Sequence, residues 1–182
     1  MLFFEPVDDY YLNATSLVNN KNIHEINRPF EPDETIKNAM PDFILCSSLL
    51  HELEDPEKML HDIYEIANEK TVVHINVPNA YSMHRLLARE SGLIDDVKAF
   101  SERNKLLQQN NVFDMEMLIT MVERCGFRVI ESGSYFMKPF THWQMQKMLD
   151  EGIIDTHILD GLYGMSKFFD EYGSEIYVNC RI

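Results

Sequence analysis

Glycine, basic residues and cysteine are all in short supply in this chain, and each shortage excludes something. Of 182 residues only 7 are glycine, and the first of them is Gly92. Neither G-x-G-x-x-G nor G-x-S-x-G occurs, so a dinucleotide-binding dehydrogenase and an α/β hydrolase both lack their usual loops. Lys and Arg number 16 against 30 Asp and Glu, for a formal net charge of -14. A chain this acidic repels phosphate backbones and anionic lipid, which argues against nucleic-acid and membrane partners while leaving room for a local basic pocket that holds a small anion. The three cysteines, Cys46, Cys125 and Cys180, are odd in number and widely spaced, with no C-x-x-C or Cys/His cluster. No metal site is expected from them; they read as small hydrophobes in a reducing compartment. The opening MLFFEPVDD has no basic n-region, and no apolar run approaches a membrane span, so a soluble cytoplasmic protein is expected. A content of 45% hydrophobic and 11% aromatic residues is enough for a sizeable core.

What is present is an alternation of strand and helix patterns. Leu2 to Phe4 reads as a buried strand stopped by Glu5-Pro6, Asp8 to Asn19 as a helix with acids at its start, and Asn22 to Arg28 as a second strand before the break at Pro29-Phe30-Glu31-Pro32-Asp33. The run DFILCSSLL, Asp42 to Leu50, is apolar enough for a strand covered on both faces. Asp55 is a good N-cap with Pro56 at the first helical position, and that helix extends to about Glu69. Thr71 to Val77, rich in β-branched residues, is the next strand. Ser82 to Gln109 is polar and helical in pattern and reads as a cap inserted into a single domain of residues 1–182. Asp114 opens a helix that ends at Gly126; Phe127 to Phe140 is strand and loop; Thr141 to Gly152 and Asp155 to Phe169 are helical; Ser174 to Ile182 closes the chain as a strand. The order favours an α/β fold on a largely parallel sheet.

In such a sheet ligands bind beyond the carboxyl ends of the strands, so the residues that follow each strand are the candidates. Glu5 could accept two hydrogen bonds from a ribose diol or be an exposed loop acid. His51, beside Glu52, could act as a general base or simply bond a helix start. Arg85 could grip a carboxylate or phosphate or be a helix-surface cation. His61 and Asp62 read as surface residues, His74 as packed within its strand, and the methionines Met121, Met137, Met145, Met148 and Met165 as core filling.

The run PDFILCSSLLHELEDPEKMLHDIYEIANEKTVVHINVPNAYSMHRLLARESGLI resembles the C-terminal part of class I S-adenosylmethionine-dependent methyltransferases. Within them it is most similar to small-molecule enzymes of the ubiquinone-biosynthesis type and those encoded with bacterial surface-polysaccharide genes. That branch reads D-x-I, a hydrophobic strand, L-E-H-x-x-D-P, a helix, a strand, then V-P-N and S-x-H-R. The segments CGFRVIESGSYFMKPF, LDGLYGMSKFFDEYG and EIYVNCRI resemble it too. The resemblance implies a Rossmann-like sheet, largely parallel with an antiparallel C-terminal strand, and S-adenosylmethionine as cofactor. It implies Glu5 on the ribose, Phe30 and Glu31 beside adenine, and Ser47 and Ser48 lining the cofactor. His51 becomes the candidate base, and Asn79, His84 and Arg85 face a small-molecule acceptor, sugar or quinone-like, with Lys138 and Tyr163 as further candidates.

Three departures accompany the resemblance. The family's first strand and E/D-x-G-x-G loop do not occur before Glu5; L-E-H stands here as Leu50-His51-Glu52; and a G-H before an aromatic stands as Asn110-Asn111-Val112-Phe113. The first departure would leave an open sheet edge, to be covered by a second copy or a partner chain. It also keeps an alternative in view, a non-catalytic methyltransferase-like fragment or relic that binds or assembles with a partner.

Overall fold

The short apolar run after Met1 forms a strand, Leu2–Phe4 (β1), followed by a helix, Asp8–Leu17 (α1), and a second strand, His24–Ile26 (β2). The two strands pair in parallel, Leu2 opposite His24 and Phe4 opposite Ile26, as a strand–helix–strand crossover allows. Asp8 and Asp9 occupy the first turn of α1, where negative charge suits the helix dipole. The second strand is shorter than the span from Asn22 to Arg28 because its flanks are used otherwise: Asn27 donates to Asp8 at 2.7 Å and Arg28 pairs with Asp33 at 2.6 Å. A short helix, Glu34–Ala39 (α2), follows the proline-rich break. Asp33 starts it by accepting from the Ile36 amide at 2.9 Å, the bond chiefly responsible for holding its carboxyl below the usual carboxylate range. The computed structural model describes residues 1–17, 22–100 and 109–182, which group into two compact units, Met1–Ala39 and Met40–Ile182.

The second unit is built on strands Phe43–Ser47 (β3), Val72–Pro78 (β4), Arg128–Tyr135 (β5) and Glu175–Arg181 (β6). Its described helices are Pro56–Ile66 (α3), Met83–Glu90 (α4), Met115–Arg124 (α5), His142–Asp150 (α6) and Thr156–Gly164 (α7), the last running into a 3₁₀ turn at Met165–Lys167. The strand order is β3-β4-β6-β5. β3 and β4 are parallel, and β6 runs antiparallel to both β4 and β5. Three strands therefore point one way and only the C-terminal one is reversed, which is the α/β Rossmann-like arrangement expected.

The β-branched strand residues bury one face. Val73, Ile75, Val77, Ile176, Val178 and Cys180 are fully buried with Leu60 and Ile63 of α3 and with Leu118 and Val122 of α5. α5 packs on β5, β6 and α3. The three cysteines are free and buried, as small hydrophobes would be; burial pushes the thiols of Cys46 and Cys180 up to about 12 each. Met137 and Met145 are buried as well.

The caps act as their side chains dictate. Asp55 accepts from the Lys58 amide and Asp114 from the Met117 amide, while Thr141 and Gln144 form a reciprocal capping box. α3 stops at Ile66 rather than near Glu69 because Thr71 and Asn68 offer side-chain oxygens to the amides of Asn68 and Lys70. The cap segment contains α4, after which residues 91–100 turn instead of continuing as helix. Arg85 holds those turns by donating to the carbonyls of Val97 at 2.8 Å and Ala99 at 2.6 Å. The remainder of the expected helical cap falls on residues 101–108, outside the described residues. No described helix is long and apolar enough to cross a membrane.

Candidate active site

β3 ends in a tight turn. Ser48 adopts a φ of +48°, a left-handed conformation uncommon for a residue with a side chain. Its amide donates to the carbonyl of Asn76 at 2.9 Å, and its hydroxyl donates to Glu175 at 3.4 Å. Asn76 donates to the same carboxylate oxygen at 3.3 Å and to the Ser48 hydroxyl at 3.2 Å. The end of β3, the middle of β4 and the first residue of β6 thus meet in one polar cluster. Burial pushes the Glu175 carboxyl up, against the opposing effects of Asn76, Ser48 and the charge of Lys138.

The loop after β3 is fastened from the other side. The His51 carbonyl accepts from the amides of Asn110 at 2.9 Å and Asn111 at 3.1 Å. The Asn110 side chain donates to the Glu52 carbonyl at 2.8 Å and that of Asn111 to the Leu53 carbonyl at 2.7 Å. Asn110 and Asn111 are therefore a clamp on the histidine loop. His51 is buried, its Nε2 is 3.7 Å from Glu52 Oε1, and its Nδ1 has no hydrogen-bond partner. Burial lowers its pKa, so the imidazole is neutral near pH 7. Exchange of acid and imidazole relative to L-E-H places the imidazole inside and leaves Glu52 52% exposed.

The end of β4 is stapled by Asn79, whose side chain donates to the carbonyls of Glu171 and Gly173 at 2.9 Å each and accepts from the Tyr81 amide at 2.9 Å. Gly173 permits this approach: a Cβ there would lie 2.6 Å from Ser134 Oγ and 2.7 Å from the Tyr135 backbone. α4 then places His84 and Arg85 in its first turn. Burial first, and then the charges of Lys138 and Arg85, lower the His84 pKa to about 4.

These pieces surround a cavity of about 310 Å³, a size at the lower end for small-molecule sites. His51, Asn79, His84, Arg85 and Lys138 all line it, together with Glu175. Tyr163, on α7, is 63% exposed and does not line it. Ser47 and Ser48 are exposed at the end of β3, and Ser48 reaches the cavity through Glu175. Glu175 opens its strand and does not follow one, so the rule of the carboxyl strand ends does not reach it. The available signal is topological: a reversed strand beside β4 brings its first residue, not its last, to the carboxyl end of β4. His142 and Ser174 line the cavity for related reasons, one opening α6 and the other preceding β6.

In the first unit, Glu5 follows β1 and accepts from the Val7 amide at 2.9 Å. Phe30 meets Phe4 edge-on, with ring centres 5.3 Å apart, and Arg28 lies over the Phe4 ring at 5.6 Å. Glu31 is exposed. Among the described residues no group of three or more His, Cys, Asp or Glu is arranged to hold a metal.

The profile of a family described as "Methyltransferase domain" matches residues 6–132. The chain belongs to this methyltransferase family. Solved structures agree at the level of the fold. A Mesorhizobium loti S-adenosylmethionine-dependent methyltransferase is similar with a TM-score of 0.62 and 11% identity, over 100% of this chain and 79% of that one. One from Thermotoga maritima has a TM-score of 0.56 and 15% identity, over 99% and 72%. A chain in a complex between the Haloferax volcanii Trm112 methyltransferase activator and a methyltransferase has a TM-score of 0.56 and 11% identity, over 99% and 70%. No curated protein matches the sequence. S-adenosylmethionine is named as the cofactor of the Mesorhizobium loti structure and of a similar one from Listeria monocytogenes.

Proposed function

We propose that this methyltransferase acts on a small-molecule acceptor seated in the cavity of the second unit. The observation that carries the reading is the meeting of His51, Asn79, His84, Arg85 and Lys138 around one cavity at the carboxyl ends of β3 and β4. When bound, the cofactor supplies a methyl group on a positively charged sulfur, an electrophile with its leaving group already activated. Little remains for the protein beyond alignment, exclusion of water and acceptance of a proton. His51 is the proposed base, because its buried imidazole is neutral and carries a lone pair. Arg85 fixes the cavity wall through its bonds to Val97 and Ala99, and Asn79 fixes the end of β4. Lys138 and His84 face the acceptor, with Tyr163 as an outer contact. Glu5 takes the ribose, Phe30 and Glu31 border adenine, and Ser47 and Ser48 line the cofactor.

In this proposal residues 1–182 act as a single functional domain, since the family match takes in parts of both units. The acceptor is sugar or quinone-like, following the ubiquinone-biosynthesis and surface-polysaccharide branch. The buried, unpaired thiols suit the cytoplasm. β3 has a described strand on one side only, with Phe43 and Leu45 exposed, so a second copy or a partner chain covers it; a structural neighbour is a member of a complex with an activator. The family match does not favour the non-catalytic alternative. Ultraviolet cross-linking of labelled S-adenosylmethionine followed by peptide mapping tests the reading. Label is expected in peptides holding Phe30 or Ser47-Ser48, and label confined to other peptides would contradict it.

A further inference from the structure

The charged groups in the cavity wall are already matched by the protein. Glu175 lies in the field of Lys138 and accepts from Ser48 and Asn76. Arg85 donates to the carbonyls of Val97 and Ala99 and lies in the field of Asp96. No ligand charge is needed to balance them. What the protein leaves unmatched is neutral. Three residues that line the cavity hold buried polar atoms without a hydrogen-bond partner: His51 Nδ1, His84 Nδ1 and Ser174 Oγ. His51 is itself only 5% exposed. Burial is the chief cause that lowers both imidazole pKa values, so each ring is uncharged near pH 7. Unmet buried donors and acceptors are costly, and a hydrogen-bonding ligand relieves that cost where an apolar one does not.

The chemistry of these atoms selects the kind of ligand. A neutral imidazole has a donor at one nitrogen and an acceptor at the other, and a serine hydroxyl does both. Nε2 of His51 lies 3.7 Å from the Glu52 carboxylate, which favours the ring proton there and leaves Nδ1 as an acceptor. A quinone carbonyl, which only accepts, has nothing to give that nitrogen. An alcohol O–H both donates and accepts, so it suits all three atoms. The rest of the wall agrees. Among the described lining residues the aliphatic side chains are Pro78, Ala80 and Val112, and none is Phe, Tyr or Trp. A flat apolar ring is ordinarily held by hydrophobic and aromatic side chains, which this wall has few of.

We infer that the acceptor is an uncharged polyhydroxylated molecule, a single sugar ring or a cyclitol, bound through its hydroxyl groups to His51, His84 and Ser174. This inference rests on the reading of the cavity as an acceptor site and favours the sugar-like acceptor of that reading over the quinone-like one. Several hydroxyls on one ring give a partner to each of the three atoms, where a simple alcohol would give a partner to one.

The test follows histidine side-chain resonances of the native chain by carbon-edited NMR, with His51 and His84 assigned through His51→Gln and His84→Gln. The probes are the methyl glycosides of glucose, galactose and mannose together with myo-inositol, set against duroquinone and benzoate. Saturable displacement of both signals by at least one polyol is expected, with a lower apparent Kd than for duroquinone or benzoate. Calorimetry of the native chain with the same probes gives a second reading that needs no variant. Ser174→Ala, which keeps the amide bond from residue 174 to the Phe136 carbonyl, should weaken the bound polyol about three- to tenfold. No response to any polyol, a response to duroquinone or benzoate at an equal or lower Kd, or unchanged polyol binding by Ser174→Ala would overturn the inference. Calorimetry with S-adenosylhomocysteine on the same samples separates the two readings. Cofactor binding without a polyol response removes only the polyhydroxylated acceptor. A polyol response without cofactor binding supports the hydroxyl site and removes the methyl-transfer reading of the cavity.

Discussion

The two faces of the four-stranded sheet are made from equally apolar strands but meet different surroundings. On one face Val73, Ile75, Val77, Ile176, Val178 and Cys180 lie buried, with α5 packed against β5 and β6. On the other, Phe43 is 57% and Leu45 62% exposed. Beside them runs a row of rings and polar groups: His74 stacks between Phe43 and Tyr177, bonds Asn179 at 2.7 Å, and Asn179 donates to Glu131 at 2.7 Å. Apolar composition made DFILCSSLL read as a strand covered on both sides. Composition reports that a strand wants cover and does not say what supplies it. The buried face is where stability resides.

Substitutions on the two faces should separate by several-fold. Ile75→Ala is expected to cost about 2–5 kcal/mol in a denaturant titration, because a fully buried side chain leaves a cavity. Leu45→Ala should cost no more than about 0.5 kcal/mol in the isolated monomer; an equal loss would mean that a second copy covers this face in solution. Gly173→Ala should fall between them, at about 1–3 kcal/mol, since its Cβ would press on Ser134 and the Tyr135 backbone.

Acid should act through the site more than through the open face. The folded pKa of His84 lies at about 4, below its ordinary 6.5. Between those values the unfolded chain binds the proton and the folded chain does not, so stability falls as pH drops from 6.5 towards 4. His51 works in the same direction, whereas Glu175, raised by burial, works in the opposite one. The denaturation midpoint of the native chain should therefore decline over that window, and His84→Gln should flatten the decline. An unchanged slope in that variant would show that His84 is not buried among cations. His74→Gln on the open face is expected to change the stability in the same titration by no more than about 1 kcal/mol.

Much of this was legible in the residues. Asp55-Pro56, Asp114 and Thr141 announced their helices through capping chemistry, which is local and leaves a mark on neighbouring positions. The β-branched run before Pro78 announced β4. The short helix α2 was not legible, since Pro29 and Pro32 masked the cap at Asp33. Glu175 was hidden because its place depends on β6 running backwards between β4 and β5, a long-range pairing that no neighbouring residue encodes. Asn110 and Asn111 looked like a departure from the family pattern, and only the structure shows them holding the His51 loop.

The proposal on which the others depend is that residues 1–182 bind S-adenosylmethionine. Calorimetric titration of the purified chain with S-adenosylhomocysteine tests it most directly. Saturable one-site binding is the predicted result. Absence of both heat and thermal stabilisation at high ligand concentration would contradict the claim for this chain by itself.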